Sequence, residues 1–209
     1  DPEMSRGLGD VYKRQSWRPC AWRSRNDGSR SCGGRCSRTS SRLCSGGIAD
    51  GRGLAAALAL GASGAWIGTR FLASSEVPIH PHYRERVLRA TEVDTVYLEE
   101  LFDIGWPKAP HRVLRNSTVA AWEAAGRPAT GKRPGEGDVV ATSKSRGPIV
   151  RYRPAPPAAD AEGDIDALAL YAGQSVALVQ QRQPAAEIVR EIVGEAQAVL
   201  HRLAQQLVN

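Results

Sequence analysis

The chain has 209 residues, room for one domain or one and a part, and its 42% hydrophobic content is enough for a packed core. It has no run of about 18 apolar residues, so no membrane-spanning helix is expected. The net charge of +6 suggests nucleic acid at first, but residues 1–45 hold ten Lys/Arg against four Asp/Glu, and residues 46–209 hold eighteen of each. The cationic excess therefore ends where the first segment ends, and no nucleic-acid partner is expected for the rest.

The N-terminus, DPEMSRGLGD, has no apolar stretch of the secretory kind, so the expected location is cytoplasmic. Residues 16–45 show neither a helical nor a strand-like apolar period. All four cysteines sit there, with spacing C-x11-C-x3-C-x7-C (Cys20, Cys32, Cys36, Cys44). That spacing lacks the paired C-x2-C knuckles of common zinc sites, and no metal is expected. The Arg/Ser/Cys/Gly/Trp composition is what a GC-rich gene yields when read out of frame. A one-base shift from Ser16, with permitted codons, turns Ser16–Arg23 into Ala-Gly-Gly-His-Val-Arg-Gly. In the same frame Asp27–Ser29 becomes Met-Ala-Leu and Cys32–Cys36 becomes Ala-Val-Val-Asp-Ala. The opening residues, ending GLGDVYKRQ, also resemble a translated sequencing adapter. Residues 1–45 are therefore expected to be disordered or artefactual.

Order begins at Gly46. Gly46-Gly47-Ile48-Ala49-Asp50-Gly51 predicts a glycine-rich turn, with a strand expected just before it. Leu54–Leu60 predicts a helix of strong formers, ended by Gly61 as its C′ glycine. Ala65-Trp66-Ile67 predicts a short buried strand with Gly68-Thr69 at its C-terminal end. Glycines let backbone N–H groups approach an anion closely, a helix N-terminus adds a favourable dipole, and Thr69 adds a hydroxyl donor. Two such loops joined by one helix predict a phosphate site.

Residues 80–125 are expected to form helices and turns punctuated by Pro78, Pro81, Pro107 and Pro110, with a helix closing at Val119–Ala125. The histidines there, His80, His82 and His111, match no common metal spacing. Residues 126–163 are rich in Gly and Pro and predict a surface excursion, with weak edge pairing of Val139-Val140 and Ile149-Val150. Gly131-Lys132 does not meet the phosphate-loop pattern. Residues 164–183 are expected to form a helix carrying Tyr171 and Gln174. Residues 184–207 predict a final amphipathic helix, with Pro184 in its first turn and Ile188, Ile192, Val199 and Leu203 on one face.

The segment GGIADGRGLAAALALGASGAWIGTRF, Gly46 to Phe71, closely resembles the nitronate monooxygenases, formerly called 2-nitropropane dioxygenases. The resemblance continues through His80-Pro81-His82-Tyr83, Asp94-Thr95, the stretch Gly105–Asn116 and Tyr171–Val176, and covers about residues 46–207. It implies an α/β fold: the C-terminal portion of a (β/α)8 TIM barrel plus a mostly helical C-terminal subdomain. Residues 46–79 would hold the last barrel strands, residues 80–163 a helical and loop substrate region, and residues 164–209 the C-terminal helices. It further implies an FMN cofactor, an alkyl nitronate substrate and dioxygen as co-substrate; the two open edges of an unclosed barrel sheet would invite association, with a homodimer as the expected form. Gly46, Gly47, Trp66, Ile67, Gly68 and Thr69 would then contact FMN, chiefly its phosphate. Tyr171 and Gln174 would lie near the substrate pocket, although an ordinary core tyrosine is an equal reading of Tyr171.

A complete barrel of this kind needs about 250 residues, so the chain is expected to be short by roughly a first half. The family's catalytic histidine belongs to an A-G-G-H motif upstream of the GGI loop, and that motif is absent here. Two other readings remain: a flavin-dependent enoyl-acyl carrier protein reductase, and a non-catalytic, basic-tailed nucleic-acid binder. The second requires salt-dependent DNA binding that survives removal of residues 1–45. The polypeptide is expected to be inactive: given FMN and an alkyl nitronate, it should consume no dioxygen above background in an oxygen-electrode assay. Flavin-dependent turnover would overturn this expectation, and an intact reading frame found on re-sequencing would overturn the frameshift.

Overall fold

A computed structural model describes residues 43–208. Cys20, Cys32, Cys36 and the segments expected to be out of frame, Ser16–Arg23, Asp27–Ser29 and Cys32–Cys36, lie outside the described residues. The first unit is a parallel pair joined by a helix: β1 (Leu43–Ser45), α1 (Gly51–Ala59) and β2 (Gly64–Trp66), with Leu43 opposite Gly64 and Ser45 opposite Trp66. The strand expected before Gly46 is thus present, and it occupies three residues of the segment that had been expected to be disordered or artefactual. The second strand lies one residue earlier than Ala65–Ile67.

The sequence of α1 accounts for both of its ends. Asp50 caps it, its side chain accepting from the Gly53 N–H at 2.9 Å. Gly61, at φ 89°, closes it with a Schellman pair: Gly61 N–H to the Leu58 carbonyl at 2.9 Å and Ala62 N–H to the Ala57 carbonyl at 3.0 Å.

After β2 the chain makes a 3₁₀ turn at Thr69–Ala73 and enters α2 (Pro81–Arg89), whose N-cap is His80. An antiparallel hairpin follows, β3 (Thr95–Leu98) and β4 (His111–Leu114), then α3 (Ser117–Ala124). The Gly/Pro-rich excursion folds into an antiparallel sheet of β5 (Val139–Ser143), β6 (Gly147–Val150) and β7 (Ala161–Gly163), in the order β6-β5-β7. The expected pairing occurs within it in part: Val139 lies opposite Val150, but a register shift passes over Val140 and sets Ile149 opposite Ala141, and β5 is the central strand and not an edge. The Arg133 side chain, fully buried, ties the excursion to the body through two bonds to Asp103, at 2.7 and 3.0 Å.

Two expectations are corrected. Residues 80–183 are mixed rather than mostly helical, because the hairpin and the three-stranded sheet occupy much of them. Residues 164–183 do not form one helix: they hold two short 3₁₀ turns, Ile165–Ala167 and Gln174–Leu178, joined by an extended stretch. The reason is burial on both sides. Leu170 and Ala172 pack into one core cluster with Tyr83, Val87 and Leu114, while Ala169 and Tyr171 pack into another with Phe102, Val113 and Tyr152. This two-residue alternation is that of a strand. The stretch hydrogen-bonds to β4, Leu114 N–H to the Leu170 carbonyl at 2.8 Å and Ala172 N–H to the Arg112 carbonyl at 3.1 Å.

The last helix, α4 (Ala185–Val208), matches the expectation within a residue and returns to pack on α1. Ile188, Ile192 and Ala196 are its buried face, whereas Leu203, assigned to that face by spacing, is exposed. Gly51 is where the two helices meet. A Cβ there would stand 2.4 Å from the Ala196 nitrogen and 2.6 Å from the Ile192 carbonyl oxygen, both backbone atoms. Gly51→Ala is therefore expected to destabilise the fold by about 2 kcal/mol or more. Gly194→Ala, in the same helix with open space around it, should stabilise by about 0.5–1 kcal/mol. Urea unfolding of the two variants checks the pair, and equal effects would contradict the assigned contact.

Candidate functional site

Both glycine loops open at the C-terminal ends of the parallel strands. Gly46 and Gly47 follow β1 with φ of 88° and 75°, two successive left-handed residues that only glycine adopts without strain. Gly68 and Thr69 follow β2. Together with Trp66 and Gln174 these residues line one recess, so six residues singled out from sequence meet in space. Ser45, Ile48, Gly173 and Ser175 complete it and were missed. The only signal for Gly173 and Ser175 was their place beside Gln174, which gave no sign that this segment reaches the glycine loops.

The junction is a buried hydrogen bond. Gly173 N–H donates to the Thr69 hydroxyl oxygen at 3.0 Å, across 104 residues of sequence. Accepting this bond leaves the Thr69 hydroxyl proton to donate elsewhere. No charged side chain lines the recess: its polar groups are backbone amides, the Thr69, Ser45 and Ser175 hydroxyls and the Gln174 amide. Such a donor-rich, neutral concavity is suited to an oxyanion.

Two sequence-named residues lie elsewhere. Ile67 does not line the recess but an apolar groove with Leu54, Phe71, Val189 and Val193, on the α1/α4 side of β2, which shares Trp66 with the recess. Tyr171 lines an adjoining apolar cavity of about 130 Å³ with Leu72, Ile79, Tyr83 and Pro156, and this cavity shares Gly68 and Thr69 with the recess. The Tyr171 carbonyl accepts a hydrogen bond from the buried Tyr83 hydroxyl.

The expected contribution of a helix N-terminus is also corrected. Gly51 N–H donates to the Glu195 carboxylate at 2.7 Å and Gly53 N–H to the Asp50 carboxylate at 2.9 Å. Carboxylates of the chain itself already occupy the first turn of α1. The recess is lined instead by residues of the two loops and of the Gly173–Ser175 segment.

The histidines do not assemble a metal site: among the described residues no group of three His, Cys, Asp or Glu side chains is placed to hold one. No described helix is long and apolar enough to cross a membrane. His111 instead belongs to the core, 1% exposed, its Nδ1 2.7 Å from the Ala109 carbonyl oxygen and its ring against Trp106 and Tyr171.

A family model described as nitronate monooxygenase matches residues 43–195. The chain belongs to that family. Nitronate monooxygenase npaC of Metarhizium robertsii is 34% identical over 172 residues, which cover 79% of this chain and 44% of npaC. FabK from Thermotoga maritima is structurally similar, with a TM-score of 0.55 and 30% identity over 78% of this chain and 46% of FabK. Nitroalkane oxidase from Streptomyces ansochromogenes shares the fold, with a TM-score of 0.55 and 23% identity over 79% of this chain and 42% of its own. The chain thus spans less than half the length of these relatives. The family is enzymatic, and this member is by family an oxidoreductase.

Burial holds the His111 imidazole below its ordinary pKa, against the smaller opposing effects of the Ala109 carbonyl and Asp103. The unfolded chain therefore binds the His111 proton more readily than the folded one. Stability from this group is complete above the unfolded value of about 6.5 and is lost as pH falls below it. Unfolding free energy should decline between pH 7 and 5, and His111→Phe should flatten that decline. An unchanged slope in the variant would rule out His111 as its source.

Proposed function

We propose that the recess between the Gly46-Gly47 and Gly68-Thr69 loops holds the phosphate of FMN. The chain is then the flavin-cradle portion of a (β/α)8-barrel nitronate monooxygenase-like enzyme that oxidises alkyl nitronates with dioxygen. The observation that carries this reading is the convergence of two glycine loops and the Gly173–Ser175 segment on one uncharged, donor-rich recess. The family membership supports the same reaction class. In this reading residues 46–79 are the flavin-binding part and residues 80–163 the substrate side.

The residues present fit the group. A Cβ on Gly68 would meet no protein atom within 4 Å, so the space over this residue is open to a ligand. The left-handed backbone at Gly46 and Gly47 gives close main-chain approach, and Thr69 keeps a proton to donate. When bound, FMN would supply the redox chemistry that couples nitronate oxidation to dioxygen. What this chain's residues contribute is binding: amides of both loops and the Thr69 hydroxyl neutralise phosphate charge without a formal cation. Trp66, 52% exposed, adds an apolar rim.

The enoyl reductase reading has the likeness to FabK in its favour, and NAD(P)H oxidation would distinguish it. The family model favours the nitronate reading.

Gly68→Val tests the cradle cleanly. Its Cβ has open space on the protein side and its methyls extend into the space assigned to the ligand, so FMN affinity should fall at least 10-fold, about 1.4 kcal/mol. The melting temperature of the variant without flavin should be unchanged. Equal FMN affinity in the two proteins, by fluorescence titration, would remove the cradle from this position.

A further inference from the structure

The two glycine loops are joined by α1, and one turn of α4, far from both in sequence, grips the flank of each. On the first side, the Glu195 carboxylate accepts from Gly51 N–H at 2.7 Å, directly after the GGIAD turn. Its other oxygen lies 3.9 Å from the Arg52 guanidinium, which in turn pairs with Asp50 at 2.7 Å. On the second side, Arg70 follows Thr69 immediately. Its side chain is 7% exposed, its guanidinium lies 3.6 Å from the Glu191 carboxylate, and it bonds to the Gln183 side chain, which also bonds Glu191. Glu191 and Glu195 stand four residues apart on one face of α4, about 6 Å along the helix axis.

A phosphate group bridging both loops needs them at one separation. Neither loop sets that separation alone. The β1–β2 pairing aligns only the ends from which they spring, and the Thr69–Gly173 bond ties the second loop to a different segment. The rigid element in contact with both flanks is this turn of α4, and Gly51 is so close to its backbone that a Cβ does not fit. We infer that Glu191 and Glu195 are positioning residues for the cradle: they touch no ligand, but fix the spacing of the Gly46-Gly47 and Gly68-Thr69 loops and so the preference for a phosphate-bearing flavin. This rests on the flavin-phosphate reading of the recess.

Glu195 has the sharper role, because its bond is to main chain and is charge-assisted. Glutamine at this position keeps an oxygen able to accept from Gly51 N–H, whereas alanine keeps none. Glu191 acts through Arg70, which retains Gln183 when Glu191 is removed, so its effect is smaller.

The test is titration of the full chain and of Glu195→Ala, Glu195→Gln and Glu191→Ala with FMN and with riboflavin, which lacks the phosphate, alongside thermal melting. The wild-type chain should prefer FMN. Glu195→Ala should lose about 10-fold in FMN affinity with riboflavin affinity unchanged, Glu191→Ala about 3-fold, and Glu195→Gln should recover most of the loss. Should Glu195→Ala fail to fold, the Gln variant and Glu191→Ala decide: FMN affinity lost in step with riboflavin affinity in both, or unaltered in Glu191→Ala, overturns the inference. Parallel loss for both flavins in Glu195→Ala, or no loss, overturns it as well. A wild-type chain that binds neither flavin, or both equally, overturns the cradle reading itself and this inference with it.

Discussion

One extended stretch, Leu168–Ala172, is the element on which the rest of the described structure depends. It is buried on both faces: Ala169 and Tyr171 enter one core cluster, Leu170 and Ala172 another and Leu168 a third, while its backbone pairs with β4. A segment in that position cannot shift by one residue without exchanging the contents of these cores. Its register therefore sets where the chain emerges, and it emerges at Gly173, whose N–H meets the Thr69 hydroxyl. Core packing and the geometry of the recess are in this sense one constraint.

The electrostatics of the unit separate two tasks that the glycine-rich pattern alone combines. The first turn of α1 is neutralised by Asp50 and Glu195, so its donors serve the packing of α1 on α4. The recess is lined by neutral donors, with the nearby cation, Arg70, turned into the interior and paired with Gln183 and Glu191. Gly51 belongs to the first task and Gly68 to the second. One cannot accept a Cβ because protein backbone is already there. The other has open space where a Cβ would stand.

The chain spans less than half the length of the relatives it matches, and among the described residues β1 and β2 pair only with each other. An open parallel pair leaves backbone groups along its outer edges, and parallel strands are ordinarily covered on both faces. Exposed Leu43 and Trp66 on the strands, and Val189 and Val193 on the helix beside them, fit a sheet that would continue in the barrel reading.

The sequence by itself determined the local elements and the family. The Asp50 cap, the Gly61 stop and the final helix follow from short-range chemistry: a side chain reaching a backbone N–H three residues on, a left-handed glycine, an apolar period. The glycine loops were legible for the same reason, since their conformation is a property of the residues themselves. Tertiary structure alone decided what those elements meet. Nothing in the local pattern of residues 164–183 marks Leu168–Ala172 as extended, because an apolar run buried on both sides has no polar face to reveal its period. Ile67, one residue from Trp66, turned to the α1/α4 groove, and Ser175 joined the recess through a contact made across about a hundred residues. The Glu195 carboxylate, from the far end of the chain, joined the local Asp50 cap at the helix N-terminus that local reasoning had assigned to an anion. Each of these depends on long-range contacts, and a long-range contact is a joint property of two segments that neither encodes alone.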